Sequence, residues 1–159
     1  MFLSHVNINT PDWKKLVQFY IDVFGFKLIP PIRDYHDEFL EIVSGMKDAG
    51  EQGAHIALPG YEMTGPTIEI FTHDIQTGTS STQFNQKGFG HIGITVDSVE
   101  EVYELFEKLQ QHGGNADGRI AQRYNPAMDK TLTLVFAKDP DGNIVEILNW
   151  QNGKKLSGG

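Results

Sequence analysis

Gly88-Phe89-Gly90-His91-Ile92-Gly93-Ile94-Thr95-Val96-Asp97-Ser98 reads as a short strand that runs straight into a helix start. Alternation puts His91, Gly93 and Thr95 on one face and Ile92, Ile94 and Val96 on the other, so the polar face carries one imidazole and little else. The phrase has a counterpart near the N-terminus: Phe2-Leu3-Ser4-His5-Val6-Asn7-Ile8-Asn9-Thr10 again holds a histidine in an alternating strand before a helix start. A second phrase also occurs twice, as Thr67-Ile68-Glu69-Ile70-Phe71 and Ile144-Val145-Glu146-Ile147-Leu148, each an apolar strand with one glutamate. The chain therefore runs His, Glu, His, Glu.

His5 and His91 lie 86 residues apart, and Glu69 and Glu146 77 apart. Two copies of one unit account for this if the first carries about nine extra residues, for which the loop Gly45–Gly53 is the natural place. A chain of 159 residues is long enough for two such modules to share one domain. The expected organisation is a first βαβββ module over residues 1–77, a polar linker at 78–87, a second module over 88–150 and a flexible tail at 151–159. The fold class is α+β, with tandem βαβββ modules.

Charge and composition exclude several functions. A net charge of −8 is unsuited to a nucleic-acid surface, which needs clustered Lys and Arg. No apolar run approaches the roughly 20 residues of a membrane span, and the N-terminus has no basic-then-apolar leader, so a cytoplasmic protein without a membrane partner is expected. With no cysteine there is no disulfide, no thiolate ligand and no thiol nucleophile.

In the first module, Thr10-Pro11-Asp12 reads as a helix opening with Thr10 as N-cap, and Trp13, Leu16, Val17, Tyr20, Val23 and Phe24 recur at helical spacing up to Gly25. Strands are expected at Phe26–Ile32, broken by Pro30-Pro31, and then at Glu38–Val43, Ala54–Leu58 and Thr67–His73. In the second, Ser98 with Glu101 forms a capping box, and Val99, Val102, Phe106 and Leu109 make the helix stripe, ended by Gly113-Gly114. Asn115–Asp129 has no clear pattern. Strands follow at Thr131–Ala137 and Ile144–Asn149, joined by the turn Asp139-Pro140-Asp141-Gly142.

A lone histidine in a strand is usually structural, and a lone glutamate in an apolar strand usually marks a solvated face. Recurrence in matching positions is what changes the reading. His5, Glu69, His91 and Glu146 make two imidazoles and two carboxylates without sulfur, a donor set that suits Zn²⁺, Ni²⁺, Co²⁺, Mn²⁺ or Fe²⁺. Four protein ligands leave a six-coordinate ion open positions for substrate oxygens. Of the other histidines, His112 fits a helix C-terminus and His36 a polar turn, while His73 shares the strand parity of Glu69.

The segments Gly88-Phe89-Gly90-His91-Ile92-Gly93-Ile94 and Asp139-Pro140-Asp141-Gly142-Asn143-Ile144-Val145-Glu146-Ile147-Leu148 resemble those of glyoxalase I (lactoylglutathione lyase). The chain as a whole resembles the vicinal oxygen chelate superfamily, whose members also include epimerases, dioxygenases and bleomycin-resistance proteins. The resemblance implies curved mixed sheets forming a half-barrel around a metal site, with His5, Glu69, His91 and Glu146 at the ligand positions. It implies a divalent cofactor, nickel or zinc first, and a homodimer. It implies a lyase or isomerase that transfers a proton through a metal-chelated enediolate, with Glu146 as the first choice of base and Glu69 able to share the role. The substrate expected is a small molecule, either a 2-oxoaldehyde–thiol adduct or an acyl thioester as in methylmalonyl-CoA-type epimerases. A non-catalytic, small-molecule-binding protein of the resistance type would instead need an aromatic wall, for which Phe39, Tyr61, Phe71, Phe84 and Phe136 are candidates. Two positions depart from glyoxalase I: Asn9 stands where an arginine grips the glutathione carboxylate, and Asp74 where an asparagine follows Thr-His.

Overall fold

The structure, a computed structural model, describes residues 3–61, 65–78 and 83–155. Residues 79–82 of the expected linker and 156–159 of the expected tail lie outside these. The chain divides into two compact units, Met1–Thr79 and Ser80–Gly159. Each has one four-stranded mixed sheet, and among the described residues the α+β class expected from sequence is what the chain adopts.

The first unit contains β1 (His5–Asn9), α1 (Trp13–Phe24), β2 (Lys27–Tyr35), α2 (Glu38–Ser44), β3 (Glu51–Ala57) and β4 (Thr67–His73). Its sheet order is β1-β4-β3-β2, with β1 parallel to β4 and the other pairs antiparallel. Helix α1 packs on one face through Leu16, Val17, Phe19, Tyr20, Val23 and Phe24, all buried. Ala54, Ile56, Ile68 and Ile70, also buried, supply the apolar side of β3 and β4 that receives it. Gly25 closes the helix in the left-handed region (φ 71°), which a residue without Cβ adopts at no cost.

Three expectations need correction here. The helix N-cap is Asp12, whose carboxylate accepts from the Lys15 amide at 3.1 Å; Thr10 sits two residues earlier, fully buried, and its hydroxyl accepts from the Asp12 amide instead. Glu38–Val43 is helical, not extended. Asp37 caps it by accepting from Leu40 N at 2.9 Å, Glu38 and Glu41 complement the N-terminal dipole, and Gly45 ends it at φ 70°. Finally, β2 runs to Tyr35, three residues past the expected end at Ile32; the break expected at Pro30-Pro31 is a register shift between Ile29 and Arg33, and the peptide between the two prolines is cis.

The second unit contains β5 (His91–Thr95), α3 (Val99–Gln111), β6 (Ala121–Asn125), β7 (Lys130–Lys138) and β8 (Ile144–Asn152), in the sheet order β5-β8-β7-β6. Again the first strand is parallel to the last. The capping box forms: Ser98 Oγ accepts from Glu101 N at 3.1 Å, and Glu101 Oε2 accepts from the Asp97 amide at 2.8 Å. Val102 and Leu109 are the buried part of the helix stripe, against Val135, Ala137, Val145 and Ile147. Strand β6 lies inside the stretch that showed no sequence pattern. The last strand runs three residues past the expected end, and the start of the tail is tied down, since Thr131 Oγ1 donates to the Gly153 carbonyl and accepts from Lys155 N. No helix among the described residues is long and apolar enough to cross a membrane.

Candidate metal centre

In each unit the parallel pairing of first and last strand decides which residues meet. Asn7 lies opposite Glu69, and Gly93 opposite Glu146, in the same register. The histidine two residues earlier on the first strand then shares a face with the glutamate. His5 Nε2 lies 3.3 Å from Glu69 Oε2, and His91 Nε2 lies 3.4 Å from Glu146 Oε2. The four sequence-predicted residues are thus brought together as two pairs, one per unit. Both glutamate side chains are 19% exposed, so each is screened by its sheet yet still reachable.

Those separations carry chemical information. They are long for a charge-assisted N–H···O bond, whose usual length is about 2.7–2.9 Å. Two donors each about 2.1 Å from one ion, at tetrahedral or octahedral angles, stand about 3.0–3.4 Å apart. Each pair by itself therefore has the spacing of two neighbouring ligands of a divalent ion. Among the described residues, no group of three or more His, Asp or Glu side chains is gathered closely enough to hold an ion by itself.

Sequence reasoning missed one participant. His55, opposite Glu69 on β3, places Nε2 at 2.8 Å from Glu69 Oε1, and its Nδ1 is 3.0 Å from Thr67 Oγ1. Burial lowers the His55 pKa and so favours the neutral ring, against the opposing pull of the Glu69 carboxylate. The available signal was its parity: His55 falls on the same face as Glu69 once β3 and β4 are paired as neighbours.

Farther along that face a second cross-strand pair forms. His73 Nδ1 lies 3.5 Å from Glu51 Oε2, and His73 Nε2–H donates to Asn9 Oδ1 at 3.0 Å. Burial raises the Glu51 pKa, with the nearby Glu69 charge adding to the rise and His73 opposing it. A raised native pKa means that the ionised form is penalised in the folded protein. The penalty grows as pH climbs from the unfolded value, about 4.3, through the folded one. Glu51→Gln is accordingly expected to raise the melting temperature of the metal-free protein at pH 7, with the gap closing below about pH 4; thermal scans at the two pH values check it.

Other expected residues separate clearly. His36 bridges Asp34 (Nδ1, 2.8 Å) and Asp74 (Nε2, 2.9 Å), so the Asp74 charge is engaged at the end of the first sheet. His112 Nδ1–H donates to the Lys108 carbonyl at 2.8 Å, as a helix end favours. Of the aromatic candidates, Phe71 is core, Phe39 is an exposed residue of α2, and Tyr61 is exposed. Phe84 and Phe136 do pair, at 4.8 Å between ring centroids, and His91 meets the Phe136 ring edge-on at 5.1 Å. A cavity of about 240 Å³ in the second unit is lined by Phe84, Leu134, Phe136 and Ile144 with Lys138 and Arg119 at its polar side.

Each unit thus carries one His/Glu pair on its sheet, in equivalent register. Over residues 2–147 the chain matches the Glyoxalase/Bleomycin resistance protein/Dioxygenase superfamily, and it belongs to that superfamily. A Synechocystis protein named "Probable lactoylglutathione lyase" is 29% identical over 97% of this chain and 99% of its own length. A "Lactoylglutathione lyase" of Neisseria meningitidis is 27% identical over 96% of this chain and 94% of its own. Among solved structures, a glyoxalase family protein from Bacillus cereus superposes with a TM-score of 0.79, covering 96% of this chain and 95% of that one, at 15% identity.

Proposed function

We propose that the protein is a metal-dependent lyase or isomerase of the glyoxalase I type, with His5, Glu69, His91 and Glu146 as the metal ligands. The observation that carries this reading is the repeated His/Glu pair, held in equivalent register in both units at a separation that suits two ligands of one ion. Relatives named lactoylglutathione lyase support it. The ion, nickel or zinc, would act as a Lewis acid toward the carbonyl oxygen of the substrate, worth several kcal/mol toward removal of the neighbouring proton.

The rest of the chemistry belongs to side chains. Glu146 takes the proton from the carbon that bears the thiol and returns it to the adjacent carbon, so a hemithioacetal becomes a 2-hydroxy thioester with no change in atoms. Phe136, beside His91, with Leu134 and Ile144, offers apolar surface for the carbon chain of such a substrate. Asn9 is bonded to His73 and carries no charge, so any grip on a glutathione carboxylate falls to another cation. A homodimer, in which an edge strand of one chain is covered by its partner, belongs to the same reading.

The test strips the protein of metal, reloads it separately with Ni²⁺ and Zn²⁺, and measures thioester formation from methylglyoxal and glutathione. Metal-dependent turnover is expected. A protein that binds one ion per site yet leaves the hemithioacetal untouched, and exchanges the C2 proton of an acyl-CoA ester with solvent deuterium, would move the substrate to that class.

A further inference from the structure

The two glutamates occupy equivalent places but unequal surroundings. Across the antiparallel pair, Glu69 faces His55 and Glu146 faces Phe136. Across the parallel pair, Glu69 faces Asn7 and Glu146 faces Gly93, where a Cβ would stand only 3.3 Å from Glu146 Oε2. Glu69 Oε1 is held by His55 Nε2 at 2.8 Å, while its Oε2 stands 3.3 Å from His5 Nε2. Glu146 has His91 beside Oε2, and among the described residues no hydrogen bond or ion pair engages its Oε1.

We propose that His55 is a positioning residue, which locks Glu69 through Oε1 so that only Oε2 is offered beside His5, while the phenyl ring of Phe136 at the equivalent place leaves Glu146 Oε1 free for proton transfer. The inference rests on the ligand set proposed above and adds a division of labour within it. A carboxylate only accepts, so His55 Nε2 carries the hydrogen. Nδ1 then accepts from the Thr67 hydroxyl, which fixes the ring from its other side. Thr67, His55 and Glu69 thus form a chain of hydrogen bonds ending on a ligand oxygen, the arrangement by which neighbouring groups orient metal ligands. Among the described residues of the second unit nothing repeats it, since Ile144 occupies the register position of Thr67 and its side chain carries no donor.

The experiment exchanges the two environments. His55→Phe, His55→Gln and Phe136→His variants are titrated with Zn²⁺ against a chromogenic chelator, with His5→Ala and His91→Ala as controls, and circular dichroism confirms that each is folded. His55→Phe is expected to weaken Zn²⁺ binding roughly 10–100-fold, and His55→Gln, which keeps a donor, to restore most of the loss. Phe136→His is expected to leave affinity near that of the parent protein but to lower kcat, because a donor on Oε1 occupies the oxygen that must accept the proton. Parental affinity in His55→Phe, with affinity lost in His5→Ala and His91→Ala, would overturn the role of His55 and leave the ligand set standing. Parental affinity in all of them would remove the ligand set itself.

Discussion

Replacing Glu146 by glutamine, with the protein saturated in metal, is expected to cut kcat on its substrate by about 10²–10⁴-fold, the usual worth of a positioned proton-transfer group. The amide keeps the shape and one oxygen donor, so the fold and part of the metal affinity survive. What it lacks is a second oxygen able to accept a proton. The same change at Glu69 tests a different property: because His55 holds Oε1 and only Oε2 stands beside His5, Glu69→Gln is expected to appear first as weaker metal binding. Steady-state rates measured beside metal content separate the two effects. Undiminished kcat in Glu146→Gln would place the base elsewhere.

The second large effect lies away from the site. Phe26 is 2% exposed, stacks on Tyr20 with centroids 5.5 Å apart and planes at 19°, and touches Phe24 at 6.1 Å. It follows Gly25, whose left-handed turn brings the end of α1 against the start of β2, so one aromatic cluster joins helix to sheet. Phe26→Ala removes most of a ring from that cluster and is expected to cost about 3–5 kcal/mol, a large share of the usual 5–15 kcal/mol of a domain. Urea titration followed by near-ultraviolet circular dichroism reads it, and a midpoint within error of the parent would contradict the packing.

How much could be read beforehand followed from where the chain states its own geometry. Thr67–His73 and the capping box at Ser98 were legible because alternation and cap chemistry are local. Helix α2 was misread because Phe39, Leu40, Ile42 and Val43 match a strand run as well as a helical one. Its caps, Asp37 and Gly45, carried the information that hydrophobicity did not. Strand β6 was missed because Ala121–Asn125 is mostly polar; it exists through its ladder with β7. At the site, His5, Glu69, His91 and Glu146 announced themselves by repetition. His55 had no counterpart to betray it, since the equivalent position is Phe136, and only strand pairing reveals what it touches.

The parallel pairing of β1 with β4, and of β5 with β8, also bears on how these proteins come into being. In each unit the histidine and the glutamate are contributed by opposite ends of the sequence, His5 with Glu69 and His91 with Glu146, so neither pair exists until nearly the whole unit has been synthesised and its ends have closed. Such contacts span a long stretch of chain and form late, because loop closure precedes their reward. A truncated or half-folded unit therefore has no completed His/Glu pair, so the pair reports that its unit has closed.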